Sequence, residues 1–284
     1  MIKSLRINKS ELFYTSKWDN KNLNEYYQHI LNNLILFLTN NNVPYSVNFG
    51  CDEITKDINL DFQYEHTFIK NKDDEYSCTV YRFNELIKLQ SVFEYSNANV
   101  NHIKTSEYFK ENSDIFRYYP PLLYDISNSD RDRNNRFKNC LTIHNSTIRR
   151  NNVHQKIDMD YYHNVCSGNV YCKNTMKNIL NEYKILVNIH QTDMYGTLEE
   201  LRVLPALMTG ILVISEDSPY KEHIPFSNHI IWSSYDDIVD TINNVLENYD
   251  FFCQKYLNGL NLTLQKMKTE SDNEMISIFK NYIV

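Results

Sequence analysis

The segment DMYGTLEELRVLPALMTGILVISED, residues 193–217, sets two adjacent carboxylates and an arginine inside an apolar helical pattern that leads into a β-branched run. Glu199 and Arg202 stand three apart and share one face of such a helix, while Leu198, Leu201, Pro205 and Met208 mark another. Two readings of the pair are open. As a solvated ion pair it contributes little to stability and does no chemistry. As a ligand site, the carboxylate accepts hydrogen bonds from a vicinal diol such as ribose, and the guanidinium fork neutralises a diphosphate. Thr197-Leu198-Glu199-Glu200 has the form of a capping box, so Glu200 is expected to fold back onto the Thr197 amide. The helix start at Gly196-Thr197 offers free amides to an anion, although first-turn carboxylates oppose one. Pro205 would cost about 3 kcal/mol in an ordinary helix interior, so a kink or a second short helical piece is expected there.

Other residues with chemical potential cluster at the ends of apolar runs. His144-Asn145, His190-Gln191 and Ser215-Glu216 each follow a strand-like stretch, and ligands of parallel sheets bind outside the carboxyl ends of strands. Arg149 and Arg150, in TIHNSTIRRNN, either supply cations for a phosphate or form a solvated turn; Lys221 is a weaker cation of the same kind. Glu65 and His66 in QYEHTF, and Glu94, Ser96, Asn97 and His102 in FEYSNANVNH, include groups able to act as a general base. Of these, Glu65 or His66 is the preferred catalytic choice. Asp130-Arg131-Asp132 and Asp158-Met159-Asp160 match a two-carboxylate metal pattern, but neither follows a convincing strand. Five glycines leave no G-x-G-x-x-G fingerprint and no Walker loop, which argues against dinucleotide oxidoreduction and P-loop hydrolysis.

The elements that would hold these residues alternate. Residues 24–39 read as a helix, and β-prone runs follow at 45–49, 60–69, 78–83 and 91–96. A polar helix over 99–110 leads to a strand at 114–119, stopped by Pro120 and Pro121. The polar, aperiodic stretch 125–139 reads as a linker. Beyond it come strands at 140–144, 184–190, 211–215 and 229–233, with helices at 175–183, 197–209 and 236–249, the last capped by Ser234 or Asp236. The tail 250–284 is helical, with Leu257, Leu260, Leu264 and Met267 on one face. Nearly continuous apolar runs indicate parallel strands covered on both faces, and hence two α/β units in tandem.

Composition narrows the class. Hydrophobic residues form 42% of the 284 and charged residues 23%, a globular balance with ample length for a core. A net charge of −7 argues against a general nucleic-acid binder. The six cysteines are scattered without a C-x-x-C pair, and reduced, mostly buried thiols are expected. The N-terminal stretch has no apolar core of a signal peptide, and no run is long enough to cross a bilayer. A soluble, cytoplasmic protein is therefore expected, its oligomeric state open.

The stretch KILVNIHQTDMYGTLEELRVLPALMTGILVISEDSPYKEHI with HIIWSSYDDIVDTINNVL resembles the donor-binding half of GT-B-fold glycosyltransferases, over roughly 70–80 residues. The matching parts are Lys184–His190, Ala206–Gly210, Leu212–Glu216, Glu222 and Ile230–Leu246. Retaining members often carry two glutamates whose positions are taken here by Thr197 and Pro205, and the pattern is instead Leu198-Glu199-x-x-Arg202. The resemblance implies an α/β chain with two Rossmann-like domains facing across a cleft: an acceptor-side domain at 1–124, a donor domain at 125–260, and a C-terminal helix at 261–284 returning to the first. It implies transfer from a nucleoside-diphosphate sugar to a glycan or other hydroxyl acceptor, with no cofactor and no obligatory metal. Donor contacts would come from Arg149, Arg150, His190, Thr197, Glu199, Arg202, Ser215 and Glu216. A non-catalytic nucleotide-sugar binder and a nucleotide-sugar epimerase are the rival readings. The Asn, Ile, Lys and Tyr bias, taken with this motif, resembles glycosyltransferases of large DNA viruses, which would place the protein in the host cytoplasm.

Overall fold

The computed structural model describes the strand backbones before residue 79, residues 32–41 apart from 34, and residues 91–279 apart from 106–109, 127–135, 164–172, 194–196 and 219. The described residues up to Pro120 and from Met267 onward form one compact unit, and those from Pro121 to Lys266 form another.

In the first unit, strands β1 (Leu5–Lys9), β2 (Tyr45–Phe49), β3 (Ile58–Phe62), β6 (Ser91–Glu94) and β7 (Phe116–Tyr118) build a sheet in the order β2-β1-β3-β6-β7. Every pairing in it is parallel. Strands β4 (Phe68–Lys70) and β5 (Tyr76–Cys78) form a separate antiparallel pair, so the run expected over 60–69 is two strands rather than one. Helix α1 (Asn97–Thr105) starts two residues earlier than expected and stops sooner. Its start follows from Ser96, whose carbonyl accepts from the Val100 amide and whose hydroxyl accepts from the Asn99 amide. All four residues of β6 are buried, as a strand covered on both faces requires.

The second unit repeats the plan. Strands β8 (Lys138–His144), β9 (Asp160–His163), β10 (Tyr183–Asn188), β11 (Leu212–Glu216) and β12 (Ile230–Ser233) run parallel in the order β12-β11-β10-β8-β9. Renumbered within each unit, both sheets have the strand order 2-1-3-4-5. In such a sheet the chain reverses direction between its first and third strands, and a crevice opens there at the carboxyl ends. In the second unit that point lies between β8 and β10. The helices are α2 (Ile148–His154), α3 (Lys173–Glu182), α4 (Glu200–Met208), α5 (Ile238–Glu247) and α6 (Tyr249–Leu257).

All nine residues of α4 are buried, so it packs on every side. The helix runs through Pro205 as one piece, and no second helical segment begins there. Packing on every side offsets the lost hydrogen bond. The helix ends at Thr209, and Gly210 follows at φ +81°, a left-handed position that favours glycine. The expected capping box is not formed. Glu199, not Thr197, occupies the cap, and the helix begins at Glu200. The cap of α5 is Asp237 rather than Ser234 or Asp236, and its side chain makes no capping bond; Ser234 stands in the turn before it, where its hydroxyl accepts from the Asp237 amide and donates to the Asp237 carboxylate.

The last helix, α7 (Leu260–Phe279), contributes to both units, dividing between Lys266 and Met267. Its second half packs in the first unit. Arg117 Nη1 donates to Glu274 Oε1 at 3.2 Å, and burial, with Asp272 nearby, holds the Tyr119 hydroxyl well above the usual phenol range.

Candidate functional site

The carboxyl edge of the second sheet is crowded with polar side chains, each delivered by a strand end or a helix start. His144, Asn188, Ser215 and Glu216 end or nearly end their strands, α2 brings Arg149 and Arg150, and α4 brings Glu199 and Arg202. Thr147 starts α2, its hydroxyl accepting from the Arg150 amide.

Buried Arg202 does not form the solvated pair that its spacing from Glu199 allows. Its Nη1 donates to Asn188 Oδ1 at 2.8 Å, and Asn188 Nδ2 donates to the Ser215 hydroxyl at 3.0 Å. Arg202 is thereby fixed against the ends of two adjacent strands. Its Nε, and Oε1 of Glu199 one helical turn away, are both buried with no hydrogen-bond partner among the described residues. A buried donor and a buried carboxylate oxygen left unmet are costly, and sites of this kind are met by water or by a ligand. Half-buried Thr197 precedes the helix.

Arg149 and Arg150 are neighbours with different duties. Arg150 is buried and turns inward, Nε to the Ile189 carbonyl and Nη1 to the Asn145 carbonyl, both at 2.9 Å. It ties the ends of β8 and β10 together across the crevice. Arg149 makes a bidentate pair with Glu216 and donates from Nε to Asp193 Oδ1 at 2.6 Å. Its guanidinium lies 3.7 Å over the Tyr235 ring, and the Tyr235 hydroxyl donates to the Arg149 carbonyl. Glu216 Oε2 also accepts from the His190 amide at 3.0 Å. The His190 ring shares Nε2 with the Asp217 carbonyl, and burial lowers its pKa against the pull of Glu216. Lys221 is occupied in an exposed pair with Asp217.

His144 is fully buried beside the rings of His154 and Tyr161, with centroids 5.2 and 5.4 Å away. Its Nδ1 lies 3.1 Å from the Asn145 carbonyl, which only accepts, so the proton sits on Nδ1. Burial, followed by Arg150, Arg202 and His154, pushes its pKa down to about 2. The ring is neutral at every ordinary pH. Its buried Nε2, and Asn145 Oδ1, are further acceptors without a partner among the described residues.

Asp158-x-Asp160 lies at the amino start of β9, away from this edge, and Asp160 accepts from the Tyr183 hydroxyl. Among the described residues no group of three or more His, Cys, Asp or Glu side chains could hold a metal ion. Glu65, His66 and the Asp130–Asp132 pattern lie outside the described residues. Reading the sequence alone missed Asn188, Asp193 and Tyr235. The signal for Asn188 was present: it is the polar residue that closes an otherwise apolar strand, one step from the crevice.

No family model matches the chain. A mimivirus protein, "Uncharacterized protein R358" of Acanthamoeba polyphaga mimivirus, is 29% identical over 191 residues, 64% of this chain; the chain spans 66% of that relative, just under two thirds of its length. A relative in a giant virus agrees with the expectation of a large DNA virus. Among solved structures, T4 phage BGT in complex with UDP and Mn2+ superposes with a TM-score of 0.50 at 10% identity, over 97% of this chain and 99% of that one. An alpha1,3-fucosyltransferase superposes at 0.49 with 12% identity, over 99% and 90%. The chain has the GT-B fold. The parallel sheets with their repeated strand order fit that fold, as does the placement of polar residues at the carboxyl ends. No helix among the described residues is long and apolar enough to cross a membrane.

Proposed function

We propose that the chain is a viral glycosyltransferase that moves a sugar from a nucleoside-diphosphate sugar to a glycan or another hydroxyl acceptor, without an obligatory metal, in the host cytoplasm. The observation that carries this reading is the unmet pair of buried polar atoms, Glu199 Oε1 and Arg202 Nε, at the first turn of α4. The carboxylate has the chemistry to accept from a ribose diol, and the guanidinium has a donor left for a phosphate oxygen. Arg149 supplies a second guanidinium, Arg150 fixes the strand ends, and His190, Ser215 and Glu216 hold the arginines in place. Thr197 completes the approach to the helix start. Glu65 or His66 is the proposed base: it takes the acceptor hydroxyl proton as that oxygen bonds the anomeric carbon and the sugar–phosphate bond breaks, releasing the nucleoside diphosphate.

The test is an assay of nucleotide release from UDP-, GDP- and TDP-sugars with hydroxyl acceptors, in the presence of a chelator. Release that depends on acceptor and persists in chelator supports transfer as stated, and strict Mn2+ dependence overturns the metal-independent part. A binding protein on the same scaffold is the second reading. Pro205 favours it, standing where retaining members often carry a second glutamate. Tight nucleotide-sugar binding with neither hydrolysis nor transfer would establish that reading instead.

A further inference from the structure

Of the three arginines at this edge Arg149 alone is not buried, yet its guanidinium is already filled by carboxylates. The two carboxylates differ in how firmly they are held. Glu216 takes both Nη groups, receives the His190 amide as well, and keeps only 10% of its side chain exposed. Asp193 is bound by Nε alone and is 85% exposed. The wider charge balance makes this contact consequential. Among the described residues, Arg149, Arg150, Arg202 and Lys221 share the edge with Asp193, Glu199, Glu200, Glu216 and Asp217, four positive charges against five negative. A diphosphate arriving there meets a net negative edge unless a carboxylate moves away. Of the two on Arg149, the one that can leave without exposing a buried charge is Asp193.

We infer that Asp193 is an internal counter-anion that holds Arg149 Nε until the donor arrives and then gives way to the donor phosphate, so that it sets the affinity for the donor. The inference rests on the donor-site reading proposed above. Exchange of one oxyanion for another on the same N–H keeps Arg149 neutralised throughout, while the bidentate Glu216 pair and the Tyr235 ring hold the guanidinium still. Asp193 then acts as a brake on binding, and removing its charge should tighten the complex.

The experiment is calorimetric titration of the full chain with UDP, GDP and TDP, comparing wild type with Asp193→Asn and Asp193→Glu, each also in an Arg149→Lys background. Asp193→Asn is expected to bind the preferred nucleotide about three- to five-fold more tightly, the scale of an exposed ion pair given up. Asp193→Glu restores the charge and should remain near wild type. With Arg149→Lys, which lacks Nε and the fork, the gain from Asp193→Asn should largely vanish. Unchanged or weaker binding by Asp193→Asn overturns the inference, as does an equal gain in the Arg149→Lys background. Either result leaves the donor site itself standing. Failure of all three nucleotides to bind any of these proteins removes the donor site and the inference with it.

Discussion

His144 makes the stability of this protein depend on pH in a way that can be calculated. The imidazole is fully buried, donates from Nδ1 to the Asn145 carbonyl, and lies near Arg150 and Arg202, so its folded pKa is pushed down to about 2. In the unfolded chain it returns to about 6.5. The unfolded state therefore binds the proton and the folded state does not. Above pH 6.5 both forms are neutral and the histidine exerts no linkage; below it, every drop in pH favours unfolding, down to about pH 2. Between pH 7.5 and 5.5 this one ring removes about 1.4 kcal/mol, and the slope approaches ~1.4 kcal/mol per pH unit. His154 and His190 are also depressed by burial and act in the same direction. The assay is urea unfolding followed by circular dichroism at pH 7.5, 6.5 and 5.5, for wild type and His144→Gln. Wild type should lose about 1.4 kcal/mol more than the variant across that range. Parallel losses in the two proteins would refute the reasoning, because they would mean that His144 takes up a proton while folded.

Three further outcomes follow from other groups. Buried Arg136 donates to the carbonyls of Leu180, Tyr183 and Thr209, closing the carboxyl ends of α3 and α4; Arg136→Met should cost about 2–4 kcal/mol in chemical unfolding. Gly259, between α6 and α7, has φ +74°, and a Cβ there would meet only open space, so Gly259→Ala should cost about 1–2 kcal/mol of melting stability through backbone strain alone, and Gly259→Asn less. The Cys140 thiol is pushed up to about 12 by burial, with Asp158 adding to the effect; mass spectrometry should find it unmodified by iodoacetamide at pH 8 in the folded protein and alkylated once the chain is unfolded in urea.

The second unit was legible in the sequence because its signals are local. Runs such as LVIS and KILVN are apolar without alternation, which only a strand covered on both faces tolerates, and β10 and β11 fall within a residue or two of their expected bounds. Polar residues closing those runs marked the carboxyl edge of the sheet for the same reason. The capping box failed because sequence spacing does not register burial: once α4 packs on all sides, Glu200 is fully buried and the cap shifts to Glu199. The roles of Arg149 and Arg150 were likewise out of reach. Adjacent arginines are alike in sequence, and only the crevice between β8 and β10 sends one inward to carbonyls and the other to Glu216 and Asp193. Strand order is a long-range property, so the shared 2-1-3-4-5 plan of the two sheets required the pairings themselves.

In the donor-site reading proposed above, the α4 turn binds a nucleoside diphosphate through Glu199 and Arg202. Calorimetric titration of wild type, Glu199→Ala and Arg202→Ala with UDP, GDP and TDP tests it most directly. One nucleotide should bind wild type, and each substitution should weaken it about 10- to 100-fold, the size of a charge-assisted hydrogen bond lost. Wild-type affinity retained by Glu199→Ala, or no binding of any of the three nucleotides to wild type, would contradict the account.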